Sequence, residues 1–180
     1  SLIDRAHEKG MLVFHDAIKL KHAKKAAEAG VDAVIAVSGG AGGHAGTISP
    51  FVLWPWFKKE LDIPVIAAGG IATGAGVAGA MALGADLAYV GTRFIASPEA
   101  QVQEDYVKMI LESSPEDIEY SSEVSGTHAN WLKPSLDRFR TSETNDNPLA
   151  RWKDVWSAGH AVGLIDEAKS RFSVNAGKVY

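Results

Sequence analysis

The stretch IPVIAAGGIATGAGVAGAMALGADLAYVG, residues 63–91, contains one complete strand–helix–strand unit. IPVIAAGG (63–70) is an apolar run of strand length that ends in paired glycines. ATGAGVAGAMALGAD (72–86) follows with small residues over a helical length, and LAYVG (87–91) is a second apolar run closed by glycine. Neither run alternates polar with apolar positions, so both faces of each strand are expected to be covered. Two strands joined by a helix run parallel in one sheet.

The same alternation extends in both directions. Upstream, MLVFHDA (11–17) and DAVIAV (32–37) read as strands and LKHAKKAAEAG (20–30) as a helix stopped by glycine. SPFVLWPWFKKEL (49–61) reads as a helix opened by Ser49 and Pro50, with Pro55 as a candidate break. Downstream, SPEAQVQEDYVKMILESS (97–114) reads as a helix capped by Ser97. The four strand–helix units, about residues 10–114, make the class α/β. Beyond residue 115 the pattern weakens. IEYSSEV (118–124) reads as a short strand, SGTHANWLKPSLDRF (125–139) as a turn and helix, and TSETNDNP (141–148) as a loop. LARWKDVWSAGHAVGLIDEAKSRF reads as helices broken by Gly159 and Gly163. The whole of 1–180 is expected to be one domain, with 115–180 as its tail. The opening SLIDRAHEKG reads as the last turns of a helix ending at Gly10, which leads us to expect further chain before residue 1.

Composition narrows the function classes. With 46% hydrophobic residues and a formal net charge of −4, the chain can form a globular core but has no basic excess to neutralise nucleic-acid phosphates. No polybasic run marks a membrane surface, and no stretch reaches 18 consecutive apolar residues. The absence of cysteine excludes disulfides, thiolate metal sites and a cysteine nucleophile, and suits a cytoplasmic location. We expect no metal, no nucleic acid and no membrane partner.

Three of the four strands end in glycine-rich loops: SGGAGGHAG, AAGGIATG and VGTRF. Ligands of parallel α/β proteins sit at the carboxyl ends of the strands, so these loops are expected to share one face. Glycine lets backbone amides come close to a phosphate. Gly69, Gly70, Gly91 and Thr92 therefore read as a phosphate cradle across two neighbouring loops. Barrels of eight βα units often hold a phosphate after their seventh and eighth strands. On that count the strands here are the fifth to the eighth, and four are missing. His44, set in SGGAGGHAGT (38–47) among five glycines, is the acid–base candidate of this face, because imidazole changes charge near neutral pH.

DAVIAVSGGAGGHAGT, PVIAAGGIATGAGVAGAMALGADLAYVGTRFIAS and SGTHANWLKPSL together resemble the FMN-dependent nitronate monooxygenases, formerly grouped as 2-nitropropane dioxygenases. The resemblance covers about residues 10–165 and implies the C-terminal part of an FMN-binding (β/α)8 TIM barrel, with parallel strands, covering helices and a helical C-terminal tail. It implies that His44 faces flavin and substrate, that Gly42 and Gly43 pass beside the flavin, and that Gly69, Gly70, Gly91 and Thr92 hold its phosphate. It further implies that the backbone at Tyr89 and Val90 leads into that cradle. Some members carry lysine after the histidine of the first strand, where this chain has Asp16 and offers no cation.

The activity implied is oxidation of alkyl nitronates, or of nitroalkanes, by O2 to a carbonyl compound and nitrite through a flavin semiquinone, with His44 as base or proton donor. The partners are then a small nitronate and O2. Self-association, as a homo-oligomer, is expected of half a barrel with open sheet edges. Two alternatives stand beside this reading. FMN-dependent enoyl-acyl carrier protein reductases resemble the chain in the same GGH and GGI segments, and a half-barrel could be a non-catalytic, phosphate-binding subunit. His7, His15, His22 and His160 read as structural, His128 as structural or near the substrate, and Arg93 as a phosphate contact or an ion pair. Trp54, Trp56, Trp131, Trp152 and Trp156 read as packing residues.

Overall fold

The computed structural model describes residues 1–141 and 155–170. Strands β1 (Phe14–Ala17), β2 (Ala33–Val37), β4 (Val65–Ala68) and β5 (Leu87–Tyr89) form a parallel sheet in the order β1-β2-β4-β5. Helices α2 (Leu20–Glu28), α3 (Pro50–Glu60) and α4 (Gly74–Ala82) make the crossovers, and α1 (Leu2–His7) precedes β1. The central runs, β2 and β4, lack alternation because both faces are buried; β5, expected to be covered as well, is exposed at Leu87 and Tyr89 because it is an edge of the sheet. Val34, Ala36, Val65 and Ala67 pack toward Leu53, Trp54 and Phe57 of α3, whereas Ala33, Ile35, Val37, Ile66 and Ala68 form a separate inner cluster. Register aligns Asp16 with Ile35, Ile35 with Ile66 and Ile66 with Leu87, so one inner layer crosses all four strands. β1 and β5 are the edges, and Phe14, Leu87 and Tyr89 are exposed there.

The ends of the strands opposite the glycine loops are held by a repeated device. Asp32, two residues after Gly30, accepts from the Val13 amide at 2.7 Å; Asp86, two after Gly84, accepts from the Val65 amide at 2.8 Å. Each carboxylate thus pins the start of the neighbouring strand. The Val13 amide and the His7 ring hold the Asp32 carboxyl below its usual range, and Lys58 with the Val65 amide does the same for Asp86.

A second, antiparallel sheet covers the glycine loops. Its order is β3-β7-β6, from β3 (Gly43–His44), β6 (Ile118–Ser121) and β7 (Ala129–Leu132). Short helix α5 (Thr92–Ile95), α6 (Glu104–Glu112) and α7 (Lys133–Thr141), together with 3₁₀ turns at Pro115–Asp117 and His160–Leu164, complete the regular elements among the described residues. Among the described residues no helix is long and apolar enough to cross a membrane.

Several expectations are corrected. Pro55 does not divide α3, which runs through it: Trp54 donates to the Ala36 carbonyl at 3.1 Å, and Leu53 and Phe57 are fully buried, so packing outweighs the missing amide. Ser97 does not cap a helix. Its hydroxyl donates to the Phe94 carbonyl at the end of α5, and α6 begins only after Gln103. The TRF of GTRF is itself helical, and ANWL, expected in a turn and helix, is strand β7. In the tail, residues 155–159 are not helical, and Ser157 is bridged to Trp131. Gly159 precedes the 3₁₀ turn and Gly163 lies within it. Trp54, Trp131 and Trp156 are buried, but Trp56 is 39% exposed. Trp152 and residues 142–148 of the expected loop lie outside the described residues.

The turn between β6 and β7 is anchored by Arg140, which reaches Glu119 at 2.5 Å and Glu123 at 2.6 Å. Arg140, with the Ser121 hydroxyl, lowers the Glu123 carboxyl from 4.5 to about 2. The folded value lies below the unfolded one, so this support is complete above pH 4.5 and disappears as pH falls toward 2. Thermal melting should show Glu123→Gln less stable than the parent at pH 7, with the difference gone near pH 2. A pH-independent difference would assign the effect to something other than this ion pair.

Candidate functional site

The loop after β2 is held from three sides. Ser38, completely buried, donates its hydroxyl to the Ala68 carbonyl at 2.9 Å and so joins the ends of β2 and β4. The Gly40 carbonyl accepts from the Gly70 amide and from the His160 amide, both at 3.1 Å. Asn130, 2% exposed on β7, donates its side-chain amide to Gly39 O at 3.0 Å and to Ala41 O at 2.7 Å. The chain then turns through Gly43, at φ +66°, into β3, where Gly43 and His44 lie opposite Asn130 and Ala129.

These contacts explain two of the glycines. A Cβ at Gly42 would lie 2.8 Å from the Ala158 carbonyl carbon and the Gly159 nitrogen. Gly69 has φ +106°, and a Cβ there would lie 2.7 Å from the Ala41 nitrogen. Both positions serve close backbone contact. Gly91 differs: its φ is −108°, and a Cβ would meet nothing within 4 Å.

A cavity of about 250 Å³ opens at the carboxyl ends of the parallel strands. Gly42, His44, Gly69, Gly70, Tyr89, Gly91 and Thr92 line it, so three glycine loops meet on one face. Of the sequence-selected residues, Gly43 and Val90 do not line it: Gly43 faces the Ser157 hydroxyl, and Val90 packs half-buried on the helix-side core. Gly70 has φ +76° and has committed its amide to Gly40. The amides of Gly91 and Thr92 make no backbone hydrogen bond among the described residues. The Thr92 hydroxyl is turned to the tail, where it accepts from the Gly159 amide at 3.0 Å.

His44 is exposed, and its Nε2 lies 3.2 Å from the Ser125 hydroxyl. The adjacent carbonyl of Ala45 accepts from the Tyr120 hydroxyl at 3.0 Å, and Tyr120 stacks on His128 with ring centroids 5.0 Å apart. His44 thus sits on a strand, since β3 pairs with β7. Arg93 makes no carboxylate pair among the described residues. It is 5% exposed, donates Nη1 to the Glu167 carbonyl at 2.9 Å, and leaves Nη2 without a partner there. No group of three His, Cys, Asp or Glu side chains among the described residues is arranged to hold a metal ion.

Sequence reasoning missed Asn130, Ser125 and the tail residues Ser157 and Ala161, which also line the cavity. Tyr106 fixes Ser157: its hydroxyl donates to the Ser157 carbonyl, its ring stacks on Trp156 at 5.1 Å, and burial pushes the phenol above its usual value. The available signal was a buried-type pattern in ANWL with Asn130 as its one strongly polar residue, since Asn130 must find partners if that segment is covered.

Comparison with known proteins places this geometry in context. A nitronate monooxygenase family model matches residues 1–152. A nitronate monooxygenase of Paraburkholderia phytofirmans is 34% identical over 93% of this chain and 48% of its own length. A 5-hydroxy-7a-methyl-1-oxo-octahydro-1H-indene-4-carboxyl-CoA dehydrogenase of Rhodococcus jostii is 38% identical over 75% of this chain and 38% of its own. Among solved structures, FabK from Thermotoga maritima superposes with a TM-score of 0.84 at 33% identity, covering 97% of this chain and 62% of its own. A nitroalkane oxidase from Streptomyces ansochromogenes gives 0.80 at 25% identity, covering 98% and 58%. The chain spans about half the length of the curated relatives it matches.

The Asn130 clamp is open to test. Asn130→Ala leaves two carbonyls of the glycine loop without their donor, at a cost of about 2–3 kcal/mol, and Asn130→Asp, which sets an acceptor against them, costs at least as much. Denaturant unfolding should show both losses, and amide exchange should rise across residues 39–44. An unchanged Asn130→Asp variant would contradict the clamp.

Proposed function

The chain belongs to the nitronate monooxygenase family, and from that premise we propose that its cavity takes FMN and that the enzyme oxidises alkyl nitronates with O2 to a carbonyl compound and nitrite. The observation that carries this is the opening of His44 and the Gly91–Thr92 loop onto one cavity at the carboxyl ends of the strands. We also propose that the four βα units are the last four of an eight-unit barrel, whose other strands would pair with β1 and β5.

The residues present fit the cofactor. Gly91 leaves open space in an ordinary backbone conformation, and the Gly91 and Thr92 amides have no backbone acceptor among the described residues. Two amides converging on an anion site are the usual way for such loops to hold a phosphate. Gly69 and Gly70 form the facing wall, Gly42 the approach, and Tyr89 and Val90 lead the chain into Gly91, while Gly43 turns the chain into β3 outside the cavity lining. Ile35, Val37, Ala68 and Ile71 present an apolar lining suited to a planar ring. Bound FMN supplies the electron acceptance that none of these side chains can provide.

His44 supplies the proton chemistry. Toward a neutral nitroalkane the imidazole takes the carbon-bound proton and the electron pair stays on the substrate as nitronate. Toward a nitronate it donates a hydrogen bond to a nitro oxygen. Asp16, on the same inner layer, faces the cavity as a carboxylate and cannot offer the anion a positive partner. The alternative reading, an enoyl-acyl carrier protein reductase drawing on NAD(P)H, shares the GGH and GGI segments and differs in its electron donor.

Anaerobic mixing separates the two. Propionate 3-nitronate should remove the oxidised flavin band while NADH leaves it in place; the reverse outcome would favour the reductase. His44→Asn should keep FMN and lose about 10²-fold or more in turnover of neutral nitroalkanes, with a smaller loss on nitronates. Equal rates on both substrate forms would remove His44 from the chemistry. Gly91→Val should lower FMN retention by about tenfold or more with the melting temperature of the apoprotein unchanged, since the added side chain enters ligand space alone. Unchanged FMN affinity would displace the cradle.

A further inference from the structure

The turn between β6 and β7 reaches back over the first glycine loop and puts Ser125 against His44, 81 positions away in sequence. The Ser125 hydroxyl has two neighbours: the Thr127 carbonyl at 2.9 Å and the His44 Nε2 at 3.2 Å. A hydroxyl has one proton, and a carbonyl can only accept. If the proton went to the ring, the Ser125 oxygen would face the Thr127 carbonyl with no hydrogen between them. Both contacts are attractive only when the hydroxyl donates to Thr127 and accepts from Nε2–H.

The serine oxygen is itself well placed. Gly126, at φ +74°, closes the turn and its amide donates to the Ser122 carbonyl at 2.8 Å. Val124 is buried beside it, and Glu123 is tied to Arg140. Across the sheet, His44 is registered against Ala129, two residues after Thr127. Serine and histidine are therefore positioned by the same strand pairing.

We propose that Ser125 is a positioning residue that holds His44 as its Nε2–H tautomer, leaving Nδ1 as the nitrogen that carries the lone pair. This rests on the reading of His44 as the base. In that role the proton leaves the substrate carbon for Nδ1, the carbon–hydrogen electron pair remains on the substrate as nitronate, and the imidazolium formed keeps its Nε2–H bond to Ser125. The tautomer is set before substrate arrives, so no proton relocation within the ring precedes the transfer.

The test is nitrogen NMR of the His44 ring at a pH where it is neutral, read with and without Ser125→Ala and Ser125→Thr. The proposal requires a protonated Nε2 and a pyridine-like Nδ1 in the parent, a shift toward the Nδ1–H form in Ser125→Ala, and return of the parent pattern in Ser125→Thr. With neutral nitroalkane, Ser125→Ala should lower kcat about three- to tenfold with KM little changed, the size of one lost hydrogen bond. A parent ring protonated on Nδ1, or a tautomer indifferent to Ser125→Ala, overturns the proposal. If the tautomer responds as required but turnover ignores both Ser125→Ala and His44→Asn, the positioning stands and the role of His44 as base falls.

Discussion

The Gly40 carbonyl is the point at which three parts of the molecule meet. It accepts from the Gly70 amide, which belongs to the next strand's loop, and from the His160 amide, which belongs to the tail. On either side of it Asn130 takes the carbonyls of Gly39 and Ala41. A loop so rich in glycine would have a high entropic cost of ordering if left to itself. Here the cost is offset by hydrogen bonds from elements distant in sequence, and the result is a fixed edge from which His44 projects. Remove these bonds and the parallel sheet persists, but its cavity loses one wall.

The division of labour between the two sheets follows from this. The parallel sheet supplies a rigid floor, because its two central strands are buried on both faces and the ends opposite the glycine loops are pinned by Asp32 and Asp86. The small antiparallel sheet supplies orientation, because β7 pairs with β3 and so aligns His44 with the Ser125 turn. Glycine has two distinct duties at this site. Gly42 and Gly69 are glycine so that backbones can touch, whereas at Gly91 the missing side chain leaves space for a ligand.

Much of the parallel sheet was legible in the chain. The runs around Val34, Val65 and Leu87 have lengths and boundaries that local physics dictates, and the glycines that end them mark the functional edge. Of the antiparallel sheet only β6 was legible, in IEYSSEV; its partners were not, for a physical reason: β3 is two residues long and exists only because β7, more than eighty positions later, pairs with it. Local propensity carries no trace of such a partner. Ser97 and Pro55 misled for the same reason in reverse, since each carries a strong local signal that tertiary contacts override. At the site, His44 and the glycines were visible as chemical types, but Asn130 and Ser125 act through geometry. A buried asparagine in a short apolar segment was the one sign of the clamp.

If the three glycine loops form one cofactor edge, the phosphate sits at Gly91 and Thr92 and His44 lies beside the reacting ring. Determining the crystal structure with FMN bound tests it most directly. Phosphate oxygens are expected within hydrogen-bonding distance of the Gly91 and Thr92 amides, with the His44 imidazole facing the flavin ring. A phosphate seated on another edge, or a flavin ring out of reach of His44, would contradict it.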